Sequence, residues 1–245
     1  MEPKKYFPKI IAHQGYGSQH SKNMLLALRT AAAAQVEMIE IDVHETRDGR
    51  FIVHHDDSIQ CDSPSWRHLT YAQVQQFTNH DEKAPLLSDC LKAVGSTPVD
   101  IEIKSYVNTS RLVRELRTSS LSPGSIISSG DFHVLRQLHI SGIEIPLILI
   151  LAISNRRSIR QNVMNALLCV APQRLPPFLK GVAVYHYLAH KRFICNLQRN
   201  GIKVFVWTVD EKKEMKKFIS LGVNGIITNY PDRLYKLLNT SEHFK

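Results

Sequence analysis

Short stretches of β-branched and aromatic residues alternate with amphipathic stretches along the chain, and this alternation limits the folds open to it. The strand candidates are KIIAH (9–13), MIEIDV (38–43), VDIEIK (99–104), SIISS (125–129), IPLILIL (145–151), GVAVYHY (181–187), KVFVWTV (203–209) and NGIITN (224–229). Between them, NMLLALRTAAAAQ, LLSDCLKAV, SRLVRELRTS, DFHVLRQLH, HKRFICNLQRN and EKKEMKKFISLG carry apolar residues at three- and four-residue steps, the helical period. Gly142, Gly201 and Gly222 stand where helices would end. A repeated strand-then-helix order implies parallel strands, and eight such units in 245 residues predict an α/β chain folded as a (β/α)8 barrel, read as one domain over 1–245. An open doubly wound sheet is the other arrangement, but no Gly-rich dinucleotide loop follows any strand. The pattern breaks once. Residues 44–85 hold an extra strand candidate, RFIVHH, and the segment DSPSWRHLTYAQVQQF, an insertion predicted to lie over the barrel mouth.

Composition excludes several classes. The longest apolar run, IPLILILAI (145–153), is too short to span a bilayer, and the first residues lack the apolar core of a secretory signal. Cys61, Cys90, Cys169 and Cys195 are scattered without metal-finger spacing, so reduced thiols in a cytoplasm are the expectation. A net charge of +9 fits nucleic acid, an anionic membrane surface or a phosphate-bearing small substrate. Much of it falls on helical runs such as RRSIR (156–160) and the lysine pairs at 212–213 and 216–217, which read as a solvated surface. Neither an aromatic RNA-binding stretch nor finger spacing is present, so nucleic acid is not expected as a partner.

The chemistry concentrates in IEIDVHETRDGRFIVHHDD (39–57). Residues two apart on a strand face the same way, so Glu40 and Asp42 project together, as do Glu102 and Lys104, with Asp100 one step deeper. Burying unpaired carboxylates in a barrel costs several kcal/mol each, roughly. Their convergence makes sense if a hard divalent cation, Mg²⁺ or Ca²⁺, neutralises them; pairing with a neighbouring Lys or Arg is the plainer reading. His13 ends the first strand, and His54 and His55 end the inserted one. Two histidines facing such a cluster form an acid–base pair suited to attack at phosphorus.

These residues carry a resemblance. HQG (13–15), EID (40–42), TRDGRFIVHHD (46–56), IEIK (101–104) and VWTVD…GVNGIITNYP (206–231) resemble the glycerophosphodiester phosphodiesterases, within the phosphatidylinositol-phospholipase-C-like superfamily, in order and over essentially the whole chain. The resemblance implies a TIM barrel with a small insertion after the second strand, and metal-dependent hydrolysis of glycerophosphodiesters to glycerol 3-phosphate and an alcohol. By position it implies Glu40, Asp42 and Glu102 as metal ligands and His13 and His55 as the acid–base pair. It also implies phosphate contacts at position 14 and Lys104, and Trp207 as a wall of the substrate pocket. A glycerol 2-hydroxyl as first nucleophile, through a cyclic phosphate, is the mechanism it implies.

Two departures stand out. The family's His-Arg-Gly is His13-Gln14-Gly15 here, and its Pro-Glu-Asn-Thr turn has Lys22 at the Glu position with Asn23 kept. A cation lost at 14 and one gained at 22 point to Lys22 as the phosphate-facing charge. A further change puts Asn229 where the family often has Asp. Two other functions remain open at this stage. One is a lysophospholipase D, with Trp66, Tyr71 and Phe77 as an apolar lip unless they form the insertion's own core. The other is a catalytically silent barrel that binds phosphate esters or an anionic membrane.

Overall fold

The computed structural model describes residues 7–58, 63–77, 83–104, 107–152 and 175–240. The basic run at 156–160, Cys61 and Cys169 lie outside the described residues. The strands are β1 (Lys9–Ala12), β2 (Met38–Glu45), β3 (Phe51–Val53), β4 (Val99–Ile103), β5 (Ile126–Ser129), β6 (Leu147–Leu151), β7 (Leu179–Tyr185), β8 (Lys203–Trp207) and β9 (Gly225–Thr228). All except β3 run parallel, in the order β1-β9-β8-β7-β6-β5-β4-β2, and β1 pairs with β2 to close the barrel. The predicted (β/α)8 barrel is therefore the observed fold.

Described helices are α1 (Leu25–Ala33), α2 (Tyr71–Phe77), α3 (Leu87–Val94), α4 (Thr109–Thr118), α5 (Phe132–Ile140), α6 (Lys191–Arg199), α7 (Lys212–Ser220) and α8 (Pro231–Thr240). Asn108 and Asp131 cap α4 and α5 through side chains that accept from Arg111 N–H and His133 N–H. Gly142, Gly201 and Gly222 follow α5, α6 and α7 in the left-handed conformation that ends a helix.

Strand parity sorts the core into two. One set of side chains, among them Ile39, Ile41, Val43, Ile101 and Val206, packs outward against the helices. The other set, Ile11, Met38, Ile126, Ile148, Ile150, Ala183, Phe205 and Ile227, fills the barrel's lower interior. Along the inward face of β2, Met38 belongs to that apolar floor, and Glu40 and Asp42 stand above it. Local sequence thus makes the lower barrel a packed plug and the upper barrel a polar cup.

β2 is longer than the sequence predicts because it leaves the barrel and continues to Glu45 as an antiparallel ribbon with β3. After β3 the chain returns to the mouth, where His54 N–H donates to Asp42 O at 2.9 Å. The insertion has its own small core of Ile52, Trp66, Leu69, Val74 and Ala84, with Tyr71 packed on it. Trp66 is fully buried and its indole N–H donates to Asp56 O, so it is no part of an apolar lip; the Phe77 side chain lies outside the described residues.

Candidate active site

Glu40, Asp42 and Glu102 offer carboxylate oxygens that all lie within 4.8 Å of one another at the mouth end of β2 and β4. Register makes this happen, because Asp42 pairs directly with Glu102 and Glu40 with Asp100. Glu40 and Asp42 are buried. Each has one oxygen tied down. Gln14 N–H donates to Glu40 Oε2 at 2.9 Å. Asp42 Oδ2 accepts from the side-chain amides of Gln14 and Asn23. The other oxygens, Glu40 Oε1 and Asp42 Oδ1, are buried without a hydrogen bond. Such bare acceptors are costly unless a charge faces them.

Lys104 faces part of the cluster. Its ammonium lies 3.2 Å from Asp42 Oδ1 and 3.1 Å from Glu102 Oε1, the first contact without hydrogen-bonding alignment. Burial alone would lower the Lys104 pKa, but Glu102, Asp42 and Glu40 outweigh it and raise it. Burial and then the charges of Asp42, Glu102 and Asp100 push Glu40 well above the usual carboxylate range. For Asp42, burial pushes upward too, but Lys104, His55, the Asn23 amide and His13 together hold it low. Asp100, beneath the cluster and accepting from Ser128 Oγ at 2.7 Å, is pushed up by burial to about 7. One lysine thus faces more negative charge than it can balance. A divalent cation fits this all-oxygen set, with Glu40 Oε1 and Asp42 Oδ1 already presented and the opposite oxygens anchored.

His13 continues β1, its N–H donating to Thr228 O at 3.0 Å, and its ring stands 3.9 Å from Glu40 Oε2. Its Nδ1 meets Asn229 Oδ1 at 2.9 Å. The Asn229 amide is oriented by Asp210, which accepts from Nδ2 at 2.8 Å, so Oδ1 is left as the acceptor for a His13 Nδ1–H. Nε2 is then the unprotonated nitrogen facing the pocket. Burial lowers the His13 pKa against the raising effects of Asn229 and Asp42, and Lys22 and His55 lower it further.

His55 is half-exposed, with Nδ1 3.2 Å from Asp56 Oδ1. His54 instead turns its ring edge to Trp66, with Nδ1 3.1 Å from Asp56 O. About 280 Å³ of space open to solvent is lined by the polar His13, Glu40, Asp100, Glu102 and Ser128. Trp207 and Ile150, Ala183 and Ile227 of the apolar floor complete the lining. Trp207 donates from Nε1 to Ala183 O at 3.1 Å and tilts against Tyr185.

Lys22 is exposed, its stem lies over Gly17, and its charge reaches His13. Gln14 is the residue placed least as expected: it is buried, and its amide turns to Asp42 rather than to the open pocket. Gly15, at φ +80°, makes that seat possible. A Cβ there would come within 2.7 Å of the Ala27 backbone in α1. Sequence reasoning missed His44, Asp210 and the part played by Asn23. His44 was within reach, since it shares the inward parity of Glu40 and Asp42; it is buried with Nε2 3.5 Å from His55 O.

The sequence model of the glycerophosphoryl diester phosphodiesterase family matches residues 13–233. The chain belongs to that family. A lysophospholipase D from Homo sapiens is 22% identical over 96% of this chain and 87% of its own length. The glycerophosphodiester phosphodiesterase of Caldanaerobacter subterraneus subsp. tengcongensis is 24% identical, covering 94% of this chain and 97% of that protein. Among solved structures, a glycerophosphodiester phosphodiesterase from Parabacteroides distasonis superposes with a TM-score of 0.78 at 22% identity, over 98% of this chain and 100% of that one. An Oleispira antarctica phosphodiesterase, solved with the product sn-glycerol-3-phosphate, gives 0.76 at 17% identity, over 95% and 97%. These structural likenesses bear out the barrel fold over nearly the whole chain.

Proposed function

We propose that this family member hydrolyses glycerophosphodiesters to glycerol 3-phosphate and an alcohol, in a single barrel domain spanning the chain. The observation that carries the reading is a pair of buried oxygens without a hydrogen bond, Glu40 Oε1 and Asp42 Oδ1, the second with only the Lys104 ammonium against it, beside His13 and an open pocket. Glu40, Asp42 and Glu102 would hold a divalent cation, Mg²⁺ or Ca²⁺, which supplies positive charge against phosphoryl oxygens. Lys104 and Lys22 add charge on the phosphate, and Trp207 walls the organic part of the substrate.

His13 acts first as base, because its Nε2 is the unprotonated nitrogen. It takes the proton of the glycerol 2-hydroxyl as that oxygen bonds to phosphorus, and His55 gives a proton to the departing alkoxide. In the second half the roles reverse. His55 takes a proton from water as water attacks phosphorus, and His13 returns its proton to the 2-oxygen as the ring opens. A neighbouring hydroxyl as nucleophile gains a proximity advantage of up to roughly 7–11 kcal/mol. A diester without a free 2-hydroxyl is therefore expected to be a poor substrate.

A panel of glycerophosphodiesters and lysolipids, each assayed with Mg²⁺, Ca²⁺ and EDTA, tests the reading. The expected result is metal-dependent release of glycerol 3-phosphate, abolished by chelation; binding without turnover under every metal would overturn it. The lysolipid arm tests the second substrate class, favoured by the human relative and by the basic surface, which also suits an anionic membrane. Lys22→Ala is expected to lower kcat/KM by about ten- to a hundredfold, the scale of one charged phosphate contact. Lys213→Ala, on the exposed face of α7, provides the comparison, and equal small effects would remove Lys22 from the site. Free thiols at Cys90 and Cys195 suit the cytoplasm, the compartment we propose. Among the described residues no helix is long and apolar enough to cross a membrane.

A further inference from the structure

We infer that Gln14 is a positioning residue for the metal ligands Asp42 and Glu40, and not a phosphate-gripping group. The inference rests on the reading of Glu40, Asp42 and Glu102 as ligands of a divalent cation. Gln14 touches that set twice and is tied to it a third time through Asn23. Its backbone N–H donates to Glu40 Oε2 at 2.9 Å, and its Nε2 donates to Asp42 Oδ2 at 2.5 Å. Its carbonyl accepts from Asn23 N–H at 2.9 Å, and Asn23 Nδ2 donates to the same Asp42 oxygen at 2.8 Å. Gln14, Asp42 and Asn23 thereby form a closed ring of hydrogen bonds.

The ring decides which oxygen of Asp42 is presented. Oδ2 has two donors, so Oδ1 turns to the cluster, where it is buried without a hydrogen bond and faces the Lys104 ammonium at 3.2 Å. Gln14 and Asn23 both have positive φ, 56° and 61°, a conformation that costs a residue with a Cβ. Both are also almost fully buried, at 2% and 1% exposed. A buried side chain held in an uncommon backbone conformation, with its amide on a carboxylate, is unsuited to reach out to a substrate phosphate. A neutral amide suits this place. It donates to Asp42 without adding a positive charge beside the carboxylates that draw the cation.

The test is Mn²⁺ binding to the chelator-treated full chain, measured by calorimetry, alongside kcat and KM at saturating metal. Gln14→Met keeps the length and apolar packing and deletes the donor. Its Mn²⁺ affinity is expected to fall about 10- to 100-fold, the usual scale for losing a group that orients a metal ligand, with the KM for glycerophosphodiester little changed once metal saturates. Asn23→Gly, which tolerates the same backbone conformation, should weaken Mn²⁺ binding in the same direction and serves if Gln14→Met fails to fold. Unchanged Mn²⁺ affinity with a raised KM would overturn the inference and return Gln14 to the phosphate. Failure of the wild-type chain to bind Mn²⁺, Mg²⁺ or Ca²⁺ would overturn the ligand assignment itself, and the inference with it.

Discussion

Replacing His55 with alanine is expected to cut kcat by about 10²- to 10⁴-fold, the usual worth of a positioned acid–base group, while His54→Ala retains most turnover. The two rings are adjacent in sequence but differ in surroundings. His54 lies edge-on against the buried Trp66 and helps seat the insertion. His55 is half-exposed beside Asp56, and its charge reaches both His13 and Asp42. Steady-state assays at saturating metal, with matched thermal midpoints to exclude misfolding, decide between them. A large loss in His54→Ala with His55→Ala active would show that the other ring carries the proton. His13→Ala should lose as much as His55→Ala, since neither half of the reaction proceeds without a partner for the transferred proton.

The second large effect concerns the carboxylates. Glu40→Gln is expected to abolish metal-dependent turnover and, in the metal-free protein, to raise the thermal midpoint. Glu40 is buried against Asp42, Glu102 and Asp100, and the Lys104 ammonium faces the cluster at Asp42 and Glu102. An amide has no charge to bury or to set against those neighbours, and it still accepts from Gln14 N–H through its oxygen. Wild-type protein should gain about 2.7 kcal/mol when the cation stands at a hundred times its dissociation constant. Glu40→Gln should lose that gain. Thermal melts with EDTA and with a Mg²⁺ or Ca²⁺ series measure both halves. A variant that melts lower than wild type in EDTA and keeps the metal-induced rise would show that Glu40 is structural and not a ligand.

Much of this site was legible before any coordinates. Parity on a strand is a local property of the backbone, so Glu40 with Asp42 and Glu102 with Lys104 could be placed inward from spacing alone. The acid at 40 had no apolar excuse on a strand flanked by Ile39 and Ile41, and the structure does bring it together with 42 and 102. His13 was readable as the residue that carries the first strand to the mouth. For Trp66 the sequence offered both a lip and the insertion's own core, and the fold of the insertion, with Ile52 and Val74 covering it, bears out the core.

Position 14 shows where sequence reasoning ran out. A Gln in place of an Arg reads as a lost phosphate contact, because the sequence records the charge and not the direction of the side chain. That direction is set by the turn at Gly15 packing on α1 and by Asn23 arriving to share Asp42. The link from Asp210 through Asn229 to His13 was equally hidden, joining residues from the ends of three strands.

The strand-and-helix alternation by itself determined the barrel, and the two-residue period determined which acids enter it, because both follow from backbone geometry that each short segment carries alone. Tertiary structure alone decided which oxygens of Glu40 and Asp42 are left without a hydrogen bond, which histidine stands open beside Asp56, and where Gln14 points. Those depend on hydrogen-bond partners supplied by loops distant in sequence, whose meeting is an outcome of the closed barrel.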